Sequence, residues 1–126
     1  MKLPEHYEND VLFFFDGRPD ALALYQTLAQ QLDAAFPQAS AKVQETQISF
    51  YGPRLFAMVS LPRRKRDPGL VVSFGLGRRE SSPRIGMAVE PYPGRWTHHV
   101  PVTAPEQLDG ELLGWLREAW DFAQTK

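Results

Sequence analysis

Between residues 41 and 102 the apolar side chains recur at every second position, and proline or glycine interrupts the pattern every few residues. A helix cannot bury a stripe with that period. A strand can, because its successive side chains point to opposite faces. "VQETQISFY" and "RLFAMVSLP" read as two strands joined by a Gly52-Pro53 turn, and "GLVVSFGLG" as a third, entered after the loop "RRKRDPG". "RIGMAVE" and "GRWTHHVPV" follow as the fourth and fifth, joined by "PYPG". Connections this short favour antiparallel pairing.

The period changes on both sides of this region. In "DALALYQTLAQQLDAAF", Leu24, Tyr25, Leu28, Leu32, Ala35 and Phe36 form one helical stripe, with Gly17 and Pro19 at its start and Pro37 at its stop. Leu112, Leu113, Leu116, Ala119, Trp120 and Ala123 form another. Its start is either a capping box of Thr103 and Glu106 around Pro105 or a cap at Asp109. Val11 to Phe15 fits a helical turn or a short strand. The prediction is an α+β fold in one domain over residues 1–126: an antiparallel sheet of about five strands, with helices near 20–36 and 109–123 packed on one face. Residues 1–10 read as a loosely ordered acidic terminus.

A chain of 126 residues, 43% of them hydrophobic, supports one core and is too short for two linked domains. It has no cysteine, which excludes disulfides, thiolate nucleophiles and cysteine-ligated metals. The longest apolar run near the N-terminus is five residues, Val11 to Phe15, too short for a signal-peptide core or a membrane span. A cytoplasmic protein without membrane contact is expected.

The net charge of −1 conceals a basic middle between acidic ends. Arg54, Arg63, Arg64, Lys65, Arg66, Arg78, Arg79 and Arg84 face only Asp67 and Glu80 within residues 54–84. Four consecutive cations at Arg63 to Arg66 suit either a solvated loop that discourages strand pairing or an anion or nucleic-acid contact. Arg78, Arg79 and Arg84 would extend that contact if they lay at the same end of the sheet.

Strand alternation gives a second candidate. Trp96, His98, Val100 and Val102 share one face with the apolar side of the other strands, including Met87 and Val89. Arg95, Thr97 and His99 share the opposite face with Tyr51, Phe56, Met58, Ser60, Val71, Ser73 and Gly75. Tyr51, Phe56, Met58, Arg95, Thr97 and His99 are therefore the candidate ligand-binding residues. Their mixture of aromatic, small and polar groups suits a small-molecule site, and equally a homodimer interface or an ordinary exposed sheet face.

Dedicated chemistry is sparse. His98 and His99 point to opposite faces and cannot grip one ion together, and "PEHYEND" reads as a solvated terminus. No serine sits in a G-x-S-x-G elbow, and "GLGRRESS" is followed by a strand where a phosphate loop needs a helix. No catalytic residue, metal or cofactor is assigned. The leading expectation is a non-enzymatic binding or interaction module for a small or anionic ligand; the alternative is a small enzyme or metal-handling protein using His99.

The segments "FFDGRPDALALYQTL", "QISFYGPRLFAMV", "PYPGRWTHHVPV" and "LDGELLGWLREAWDFA" resemble a bacterial family known as domain of unknown function 5655, whose members carry a similar G-x-W-T-H motif followed by L-D-x-E-L-L-x-W-L. The likeness spans roughly residues 13–123 and implies a fold without an assigned activity. "ETQISFYGPRLFAMV" is more distantly similar to the YdhG-like family, for which that resemblance implies iron delivery. Here the methionine of its I-S-Y-G-M-P pattern is absent and an extra aromatic intervenes.

Overall fold

A computed structural model describes residues 1–125. Two helices, α1 (Tyr7–Phe14) and α2 (Pro19–Ala35), precede six strands: β1 (Ser40–Val43), β2 (Ile48–Tyr51), β3 (Leu55–Ser60), β4 (Leu70–Leu76), β5 (Met87–Tyr92) and β6 (Arg95–Val102). A 3-10 turn (Pro105–Gln107) leads into α3 (Gly110–Gln124). The strands form one antiparallel sheet in the order β1-β2-β3-β4-β6-β5. The α+β class and the antiparallel sheet are as predicted, with six strands instead of about five.

The additional strand is β1, which precedes "VQETQISFY" and shares only Val43 with it; the segment itself supplies the turn and then β2. Gln44 N–H donates to the Gln47 carbonyl across 2.9 Å, closing a turn without glycine or proline. Ser49 and the side chains of Gln44 and Gln47 then bond to one another and hold it. Before α1 begins, Lys2 bridges the β1 edge: its N–H donates to the Ala39 carbonyl, and Ala41 N–H donates to the Lys2 carbonyl.

Burial follows the stripes that define the helices. Pro19 occupies the first turn of α2, whose Leu24, Tyr25, Leu28 and Leu32 are buried. Of the two starts for the last helix, Asp109 is the cap: its carboxylate accepts from Leu112 N–H. Upstream, the Gln107 side chain, in place of Glu106, reaches back to accept from Thr103 and Ala104 N–H. Val11 to Phe15 is helical until Phe14; Val11 and Phe15, four apart, turn inward.

All helices lie on one side of the sheet. Tyr25 stacks near Phe50 of β2, while Trp115 of α3 stacks on Phe74 of β4. No helix covers β6. The connection from β4 to β5, residues 77–86, crosses over it on the helix side, because β6 inserts between the two strands that this connection joins. Its Glu80 is the pin: Glu80 N–H donates to His98 Nε2, and the Glu80 carboxylate accepts from Trp115 Nε1–H and from Arg78. Arg84 closes the far end, donating to Asp109, Glu111 and the Gln107 carbonyl. Burial opposes the charge of Arg84, and the bonds to Asp109 and Glu111 outweigh it, so its pKa is raised.

Candidate functional site

Among the described residues, the other face of the sheet carries no helix. The register places Ser49, Met58, Ser73, His99 and Met87 in one row across it, and Gly75, Thr97 and Val89 in the next. Tyr51 alternates with the inward Phe50 and joins this face, as does Arg95 at the start of β6. Of the six residues expected here, Tyr51, Met58, Arg95, Thr97 and His99 are brought together.

Phe56 is the exception. Tyr51 pairs with Leu55 and Phe50 with Ala57, so Phe56 is an extra residue in β3, a bulge. The bulge turns its ring to the helix side, where it lies 5.1 Å from Phe36 and 5.0 Å from Trp120 between ring centroids. Phe56 is therefore a core residue and leaves the open face. Met87 and Val89 move the other way. They pair with His99 and Thr97, stand on the open face, and are 55% and 42% exposed. With Tyr92, they give the β5 edge an apolar rim that strand alternation within β5 alone did not locate.

His98 and His99 diverge as neighbouring strand residues must. His98 is fully buried, its ring 5.3 Å from that of Phe74 and nearly parallel to it. Its Nε2 accepts a hydrogen bond, so the proton of the neutral ring is on Nδ1. Burial pushes its pKa down. His99 is half-buried, with Nδ1 2.7 Å from Ser73 Oγ, and burial lowers its pKa too. Ser73 is the polar partner that the sequence left outside the candidate set.

The Arg95 guanidinium lies flat over Gly75: a Cβ added there would come within 2.5 Å of its central carbon. Glycine is thus what lets this arginine lie on the sheet. Arg95 is half-buried, and no hydrogen bond or ion pair joins its guanidinium to another described residue. With Arg54, Leu55, Tyr92 and Ala123 it borders a depression of about 220 Å³ at the end of the sheet, with no carboxylate in its wall.

The other arginines are distributed differently. Arg63, Arg64, Lys65 and Arg66 are exposed in the β3–β4 loop, whereas Arg78 and Arg79 follow β4, so the length of that strand separates the two groups. Arg78 bonds to Glu118 and Glu80, which raise its pKa. Arg79 lies 5.4 Å over the Trp96 ring, and Arg84 bonds to Asp109 and Glu111. Among the described residues no group of three or more His, Asp or Glu side chains could hold a metal ion. None of their helices is long and apolar enough to cross a membrane.

Fold and site together define a two-layer α+β domain: a six-stranded antiparallel sheet, helices on one face, and an arginine and a histidine on the uncovered one. The chain belongs to the family described as Domain of unknown function (DUF5655), which matches residues 13–123. No curated protein and no solved structure matches it.

Proposed function

We propose that the protein is a non-enzymatic binding module that takes a small anionic ligand on the open sheet face, anchored by Arg95. The observation that carries this reading is a half-buried guanidinium with no acceptor among the described residues. Such a group loses hydration without gaining a partner, and its planar fork suits a carboxylate or phosphate. Arg54, bordering the same depression, adds positive charge. His99, half-buried and held by the buried Ser73, offers a hydrogen bond on the same face, while Met58 and Tyr51 offer apolar contact.

The test is calorimetric titration with a panel of small carboxylates and phosphomonoesters. At least one should bind, and Arg95→Ala should remove the binding while His98 variants change it only through folding. Lack of binding by the whole panel, or equal binding by Arg95→Ala, defeats the proposal. One contact favours a second reading, a small enzyme using His99: the 2.7 Å approach of Ser73 Oγ to its Nδ1. Under that reading, His99→Ala would keep ligand affinity and abolish turnover of the bound ligand.

A further inference from the structure

The apolar run Val11 to Phe15 is not consumed by the core. Val11 and Phe15 turn inward, which leaves Leu12 and Phe13 on the outer crest of α1, 54% and 84% exposed. A phenylalanine so exposed gains nothing from folding. Its surroundings are acidic: residues 3–17 contain Glu5, Glu8, Asp10 and Asp16 and no lysine or arginine.

Phe13 also forms one wall of a groove. Asp10, Phe13 and Phe14, spaced to share one face of α1, oppose Val43, Gln44 and Glu45 at the β1–β2 turn, enclosing about 490 Å³. Asp10 and Glu45 rim it, and neither has an ion-pair partner among the described residues. Apolar walls with an unpaired acidic rim fix the chemistry of the occupant.

We propose that this groove docks a basic amphipathic segment of another protein, its apolar side chains against Phe13, Phe14 and Val43 and its lysines or arginines against Asp10 and Glu45. Two alternatives fail on charge. A second copy docking through the same patch would bring acidic rims together, since a two-fold contact places like surfaces against each other. An anionic membrane surface would be repelled by the same carboxylates.

The experiment measures fluorescence anisotropy of three labelled peptides with the full chain: an amphipathic helix of leucine and lysine, the same helix with glutamate for lysine, and the same helix with serine for leucine. Only the leucine–lysine peptide should bind. Phe13→Ser should weaken it by about ten-fold or more, as truncation of an aromatic anchor does. Asp10→Lys with Glu45→Lys should do likewise, and Arg95→Ala should leave affinity unchanged. Phe13 is exposed, so Phe13→Ser will fold, and an unchanged unfolding midpoint verifies it. Binding of the glutamate peptide, or indifference to both groove variants, overturns the proposal. So does sedimentation showing self-association through Phe13 that requires Arg63 to Arg66, because the occupant would then be a second copy.

Discussion

The backbone N–H of Glu80 donates to Nε2 of His98 across 2.9 Å, so the segment that crosses β6 is latched to the strand it covers. His98→Ala would leave that N–H without its acceptor and open a void beside Phe74. The cost should be about 1 to 3 kcal/mol, the range for a lost buried hydrogen bond with incomplete repacking. His99→Ala, at a half-buried position on the open face, should cost clearly less. Urea unfolding of the two variants checks the ranking, and equal losses would contradict the roles assigned to the two rings.

The same burial makes stability depend on pH. His98 and His99 are both held below the ordinary imidazole pKa by burial. Above about pH 6.5 the rings are neutral in the folded and unfolded chain alike, and no stability is lost. As pH falls below that value the unfolded chain binds protons first, so stability declines until the folded rings titrate as well. The melting temperature should therefore be level from about pH 7 to 8 and fall as the pH drops below about 6.5. His98→Ala should reduce the slope, and His98→Ala with His99→Ala should reduce it further. Asp20, Glu80 and Asp109 are shifted below the usual carboxylate range, by the Gly69 N–H, Arg78 and Arg84 respectively, so their loss belongs to a separate, more acidic window.

Much of this arrangement is written in local pattern. The divergence of His98 and His99 needs only strand alternation, and the two long helices need only their stripes. Three features escape because each depends on something outside its own segment. The β1–β2 turn uses glutamine backbone and side-chain bonds where glycine or proline would have announced it. Phe56 faces the helices because a bulge adds one residue to β3, and an extra residue moves a side chain to the other face. The crossing of β6 by residues 77–86 is fixed by Glu80 and Arg84 reaching partners 18 and 25 residues away. Arg95 was legible as a member of the open face. That it lies over Gly75 without an acceptor among the described residues required the register of β4 against β6.

Gly69 is a point where sequence tolerance should be least. It has φ +81°, and an added Cβ would stand 2.1 Å from the Val102 carbonyl oxygen, a backbone atom of the adjoining strand. Its N–H also donates to Asp20 across 2.7 Å, tying the entry of β4 to the first turn of α2. Gly69→Ala combines left-handed strain with a backbone clash and should cost at least about 2 kcal/mol. Gly94 has φ +84° with nothing within 4 Å of the added Cβ. Gly94→Ala carries the strain alone and should cost about 1 kcal/mol. Chemical denaturation compares them; a Gly94 loss equal to that at Gly69 would mean that the Val102 carbonyl moves aside freely.

The basic loop and Arg95 should separate cleanly in solution. Arg63, Arg64, Lys65 and Arg66 are exposed and have no ion pair among the described residues, so changing all four to serine should move the unfolding free energy by no more than about 0.5 kcal/mol. Their effect belongs to polyanions, whose phosphates or sulfates favour clustered cations through released counterions. Retention on heparin at low salt should disappear in the four-serine variant, and the salt dependence of any nucleic-acid binding should fall by about one unit for each phosphate that no longer meets a cation. Arg95→Ala should leave that retention intact, because one half-buried guanidinium over Gly75 adds little to a polymer held at the loop. A small carboxylate or phosphomonoester should report the reverse, with Arg95→Ala failing to bind and the four-serine variant binding as the parent does. If the loop variant instead loses the small anion, the ligand is held by the cations of the β3–β4 loop, and the open face gives up its anchor.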